Sequence, residues 1–176
     1  MHGRERHTLQ FDGFRAAAVA VLLVEHDGTA SVVLTLRTQS LRAHSGQVSF
    51  PGGTRDEEDG SVITTAIREC WEELGIAPLR TDVLGMLDDE PTTSRFVITP
   101  VVFALQARPH YVPNPDEVAQ VFEAPLAVFA DRSQAVDLGT YSLAGMTYAS
   151  RAYHYQEHCI QGATARILER MNDLIR

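Results

Sequence analysis

A chain of 176 residues is long enough for one domain with a substantial core and short for two. With 44% hydrophobic and 22% charged residues it has the make-up of a soluble globular protein. Its net charge of −8 argues against sequence-independent binding of nucleic acid, which depends on neutralising phosphates.

The opening MHGRERHTLQFDG lacks the charged-then-apolar layout of a secretion signal. The apolar run 16–24 falls short of the ~20 residues that span a bilayer, so a cytoplasmic protein with no membrane segment is expected. Residues 16–25 (AAAVAVLLVE) and 32–37 (VVLTLR) read as strands, and Asp27-Gly28 between them predicts a hairpin. Residues 38–49 read as a loop, and Phe50-Pro51-Gly52-Gly53 as a turn.

From Ser61 the period changes to 3.6. Ile63, Ala66, Ile67, Cys70 and Leu74 form one core stripe of an amphipathic helix, with Asp59 or Ser61 as N-cap and Gly75 as stop. The two cysteines, Cys70 and Cys159, have no metal-site spacing, and Cys70 on the apolar stripe is expected to be a buried hydrophobe. Trp71 is expected to pack. Residues 83–87 and 96–105 read as strands, with Pro100 pointing to an edge or bulge. A Pro-rich loop follows at 108–116, and residues 118–130 pass from strand to short helix at Pro125. Residues 141–155 predict a hairpin around Ala144-Gly145, and 164–176 an amphipathic helix. His154, His158 and Cys159 lie in strand-like sequence, where a zinc role is disfavoured. The order of elements gives a mixed α/β domain with helices packed on a sheet.

The chemistry concentrates between Gly53 and Gly75. Seven acids there stand against two arginines, which is −5 of the net −8. Glu69, Glu72 and Glu73 share one turn and one helix face, although like charges at i, i+4 destabilise an isolated helix by ~0.2–0.5 kcal/mol per pair. Three carboxylates behind a Gly pair suit a hard cation, which takes oxygen ligands and phosphates together. A solvated acidic helix face is the bland alternative, and the clustering weighs against it.

These residues resemble the Nudix box, Gly-x5-Glu-x7-Arg-Glu-U-x-Glu-Glu-x-Gly-U with U aliphatic. Arg68 to Ile76 follows its second half, with Cys70 at the first U. Counting from Gly53 puts Asp59 at the first Glu position, and the step from Asp59 to Arg68 is one residue longer than the pattern. Upstream, Val33-Leu34-Thr35-Leu36-Arg37, Arg42, Gly46 and Phe50-Pro51-Gly52-Gly53 resemble the second signature of the coenzyme A diphosphatase branch, LLTxR-[SA]-x3-R-x3-G-x3-FPGG, with Val33 and Thr38 substituted. That branch tends to carry the lengthened box and its Asp. Thr99-Pro100-Val101-Val102, Asn114-Pro115-Asp116-Glu117-Val118 and residues 160–168, with Gln161 in place of Trp, are similar to later stretches of the same branch.

The resemblance implies an α/β/α sandwich over residues 1–176 and Mg²⁺- or Mn²⁺-dependent hydrolysis of coenzyme A to phosphopantetheine and adenosine 3′,5′-bisphosphate. Glu69, Glu72 and Glu73 would take the metal, and Arg68 would hold these glutamates. Arg37 and Arg42 would meet substrate phosphates beside Gly53. Either a box glutamate or Glu117 would act as base. ADP-ribose or another nucleoside diphosphate derivative is the alternative substrate, since Pro91 lies fifteen residues past Ile76, as in the ADP-ribose branch. A non-catalytic binding module is the reading from another class, and such a module need not keep the glutamates. The expected partner is a small molecule, and a homo-oligomer is left open.

Overall fold

The computed structural model describes residues 5–38 and 46–175. Strands β1 (Arg15–His26) and β2 (Thr29–Arg37) form the expected hairpin. Asp27 (φ 49°) and Gly28 (φ 77°) both take the left-handed conformation that a tight two-residue turn demands. Short strands β3 (Val48–Ser49) and β4 (Gly52–Thr54) follow. Gly52-Gly53 therefore belongs to a strand rather than a turn. β4 runs antiparallel to Ala17–Val19 of β1, a pairing across more than thirty residues that local patterns do not reveal.

Helix α1 (Val62–Leu74) starts at Ser61, whose hydroxyl accepts from the Thr64 amide, and ends at Gly75 in the αL conformation. Strands β5 (Val83–Met86), β6 (Glu90–Pro91), β7 (Phe96–Ala104) and β8 (Val118–Pro125) complete the main sheet, ordered β3-β2-β1-β7-β5. In addition β4 pairs with β1, β6 with β7 and β8 with β2; β1 and β7 are parallel. The sheet is mixed, as expected. For Pro100 the edge expectation is corrected, because β7 lies inside the sheet. The Pro100 carbonyl accepts from Leu87, in the gap between β5 and β6, so the missing N–H faces a break in the partner strand rather than a ladder position.

A second sheet, β11-β10-β9, contains the expected hairpin of β9 (Val136–Leu143) and β10 (Met146–Tyr155), with a third strand β11 (His158–Gln161) leading into α2 (Gly162–Ile175). In this sheet His154 and Cys159 are exposed and opposite one another, while His158 is buried and stacks on Phe122 with ring centroids 3.9 Å apart, so the three do not converge.

The main sheet is sandwiched. On one face Ala66, Cys70 and Leu74 of α1 close on Ala18, Ala20, Leu22, Val33, Val101 and Phe103. On the other, Ile167, Leu168 and Met171 of α2 join Val19, Val21, Leu34, Phe50 and Phe122. Cys70 is the buried hydrophobe expected, whereas Trp71 is 63% exposed and does not pack. No helix among the described residues is long and apolar enough to cross a membrane. Leu74 is fully buried at the end of α1. Leu74→Ala should therefore lower stability by ~2–5 kcal/mol in urea unfolding, against about 1 kcal/mol for loss of the cap in Ser61→Ala.

Candidate active site

Helix α1 offers two faces. Its apolar stripe fixes it to the sheet, and the adjoining face carries Arg68, Glu69, Glu72 and Glu73. The Arg68 guanidinium is the centre of the arrangement. Its Nη1 donates to Glu69 Oε1 (2.8 Å) and to Glu72 Oε2 (2.9 Å). Its Nε and Nη2 form a fork on Asp59 (3.0 Å each), and Nη2 also reaches the Thr54 carbonyl of β4 (3.0 Å). Asp59 is buried and further held by the Thr65 hydroxyl (2.8 Å) and the Asp56 amide (3.0 Å). Hydrogen bonding to Arg68 outweighs burial and keeps the Asp59 carboxyl far below the ordinary carboxylate range.

Glu73 is 2% exposed. It accepts from the Gly52 amide (3.3 Å), and Arg37 Nη1 lies 3.8 Å from its Oε1. Burial pushes its carboxyl from 4.5 up to about 8, against the pull of the Gly52 amide and Arg37. Burial also raises Glu69, partly offset by Arg68. Glu117, half-buried in the turn just before β8, is close enough for its charge to raise both. The structure thus brings together Arg68, Glu69, Glu72, Glu73, Arg37 and Glu117. Arg42 lies outside the described residues.

The glycine pair has a steric role. A Cβ at Gly53 would stand 2.5 Å from Glu69 Oε1, so any other residue there would push that carboxylate aside. Sequence reasoning left Asp59 between a cap and a site residue. The structure makes Ser61 the cap and Asp59 the anchor of Arg68. The Thr54 carbonyl and Gly52 amide carry no sequence signal, since they enter through the long-range β4–β1 pairing.

Among the described residues no three His, Cys, Asp or Glu side chains already form a closed cation cage, because Glu69 and Glu72 turn oxygens toward Arg68. The donor set nevertheless fits a hard divalent cation: it is all oxygen, partly desolvated and in excess of its arginines. A shallow cavity lined by Ile76, Pro78, Leu105 and Pro109 contains none of these acids.

An α/β sandwich whose helix α1 presents a guanidinium-braced row of carboxylates is the arrangement expected of a hydrolase of diphosphate bonds. Residues 14–139 match the NUDIX domain, and the chain belongs to the Nudix hydrolase family. An "Uncharacterized Nudix hydrolase NudL" of Pectobacterium atrosepticum is 40% identical over 159 residues, 89% of this chain and 81% of that protein. The crystal structure of a MutT/nudix family protein from Enterococcus faecalis superposes with a TM-score of 0.67 at 15% identity, over 95% of this chain and 64% of that one. The NUDIX domain of Shewanella oneidensis NrtR, solved with ADP ribose, gives 0.52 at 24% identity over 66% of this chain and 76% of that one. At these identities both structures bear on the fold. Family members generally use divalent metal ions such as Mg²⁺ or Mn²⁺.

The Glu73 shift has a measurable sign. Between about 4.5 and about 8 the native state holds a proton that the unfolded chain has released, so stability falls as pH rises through that window. In the presence of EDTA, melting temperature should drop from pH 5 to pH 8, and Glu73→Gln should flatten the trend.

Proposed function

We propose that this chain hydrolyses the diphosphate of coenzyme A, or of a coenzyme A derivative, to phosphopantetheine and adenosine 3′,5′-bisphosphate. The observation that supports it is Arg37, which belongs to the upstream signature in sequence and stands 3.8 Å from Glu73 in space. A guanidinium at the end of β2, next to the acidic helix, suits a phosphate-rich substrate.

Glu69, Glu72 and Glu73 would hold Mg²⁺ or Mn²⁺, which when bound would offset the diphosphate charge and acidify a water. Arg68 keeps Glu69 and Glu72 in register through charge-assisted hydrogen bonds. Arg37 binds a phosphate oxygen of the substrate. Glu117 accepts the proton of the attacking water at a carboxylate oxygen. The water oxygen bonds to one phosphorus, the bond from that phosphorus to the bridging oxygen breaks, and the bridging oxygen leaves on the other phosphate. Gly53 leaves the Glu69 carboxylate its space.

Pro91, the residue whose spacing pointed to ADP-ribose, is buried in β6 opposite Val97, so packing accounts for it. Incubation with Mg²⁺ or Mn²⁺ and either coenzyme A or ADP-ribose, followed by product separation, should give adenosine 3′,5′-bisphosphate from the first at the higher kcat/KM. Faster turnover of ADP-ribose would replace this substrate with the alternative. EDTA should abolish turnover, and Glu69→Gln should lower kcat by ~10²-fold or more while the chain stays folded.

A further inference from the structure

Loop 105–117 joins β7 to β8 and carries Glu117 at its far end. Near its beginning, Arg108 Nε (3.2 Å) and the Tyr111 hydroxyl (2.9 Å) both donate to Glu123 Oε1 on β8. The other oxygen of Glu123 lies 3.2 Å from His26 Nε2. In the middle, the Val112 amide donates to the Leu74 carbonyl (2.8 Å) and the Asn114 amide to the Glu73 carbonyl (2.9 Å). These are carbonyls that the last turn of α1 leaves without helical partners. Gly75 permits the approach, since a Cβ there would meet the Val112 Cβ at 2.9 Å. At the end, the Asn114 carbonyl accepts from the amides of Glu117 (3.1 Å) and Val118 (2.8 Å). Glu117 is thus tied through Asn114 to the backbone of Glu73 itself, and the near half of the loop is tied to Glu123.

Glu123 is far from the chemistry. It lies five residues past Val118 along β8, which is roughly 16 Å at ~3.3 Å per residue. Its side chain is only 11% exposed, so its charge needs partners there. Arg108 is 62% exposed and an ion pair of that kind contributes little. Tyr111 is half-buried and packs against the core on the α1 face, which makes its hydroxyl the stronger anchor. Burial, with Glu123 adding to it, raises that hydroxyl and keeps it a donor.

We propose that Tyr111, held by Glu123, is a positioning residue for Glu117: the pair fixes loop 105–117 on the end of α1 and so sets the Glu117 carboxylate beside Glu69 and Glu73. The inference rests on the reading of Glu117 as acceptor of the water's proton.

The test is a mutant cycle in the 176-residue chain with Mg²⁺ and whichever of coenzyme A and ADP-ribose the wild-type chain hydrolyses. Tyr111→Phe, which deletes one oxygen, should lower kcat ~10-fold or more, leave KM within ~2-fold, and speed amide hydrogen exchange at Val112 and Asn114. Glu123→Val should do the same. Glu123→Gln keeps an acceptor for the hydroxyl and should recover most of the lost turnover. Once Glu117 is already Gln, Tyr111→Phe should cost nothing further. An equal loss of kcat with and without the Glu117 carboxylate would overturn the proposal, as would unchanged kcat and exchange in Tyr111→Phe. If Glu117→Gln alone leaves kcat intact, the base assignment fails and this proposal with it. The coenzyme A reading is judged separately, by which products form.

Discussion

The fork of Arg68 on Asp59 is the interaction on which the rest of the site depends. Glu69, Glu72 and Glu73 repel one another within a single turn, and two of them are buried. A buried, unpaired carboxylate is penalised by several kcal/mol. Arg68 relieves part of this from within the same helix, and it can do so only because its other edge is fixed. Asp59, gripped by Thr65 and the Asp56 amide, spends both oxygens on Nε and Nη2, and that leaves Nη1 directed between Glu69 and Glu72. Asp59 lies at the end of a short 3₁₀ turn, Glu57–Asp59, immediately ahead of the Ser61 cap. The entry of the helix and the alignment of its carboxylates are therefore one structural problem with one solution.

The same coupling runs to the sheet. β4 supplies the Thr54 carbonyl to Arg68 and the Gly52 amide to Glu73, while Gly53 gives Glu69 room. β4 is only three residues long and is held by its pairing to β1, the strand against which α1 packs. Core packing of Ala66, Cys70 and Leu74 thereby fixes the distance between the carboxylates and the backbone groups facing them. Burial of the apolar stripe is what keeps a repulsive charge cluster in place.

What could be read from the chain alone follows from how local each signal is. The α1 stripe, its Gly75 end, the Asp27-Gly28 hairpin and the grouping of Glu69, Glu72 and Glu73 all lie within a few residues, and the structure has each of them. β4 was misread because Phe50-Pro51-Gly52-Gly53 has turn chemistry, and its strand character comes entirely from Ala17–Val19. Pro100 suggested an edge or a bulge, and nothing nearby reveals that β5 and β6 break opposite it. Trp71 looked like core by residue type, yet its place in the helix period faces solvent. The Asp59–Arg68 fork was half legible: the spacing brought the pair to notice, but only the fold shows that capping falls to Ser61.

A second ionic cluster shows why the first suits a cation. Glu90, fully buried, is met by Arg166 Nε at 2.6 Å and Arg170 Nη2 at 3.0 Å, and Arg6 pairs with neighbouring Asp89. Three arginines there face two carboxylates, an excess of one positive charge, and the arrangement is electrostatically closed within the protein. Around Arg68 the balance is reversed. Asp56, Asp59, Glu69, Glu72, Glu73 and Glu117 answer to Arg68 and Arg37, six acids against two arginines. Burial is the largest cause of the raised Glu69 and Glu73 carboxyls, as it is for Glu90. A divalent cation would supply positive charge there, and a diphosphate would then have positive charge to bind to in a chain that is otherwise acidic. The arginines at Glu90 complete a structural contact, whereas the acids around Glu73 outnumber their arginines and would suit a cation from solution.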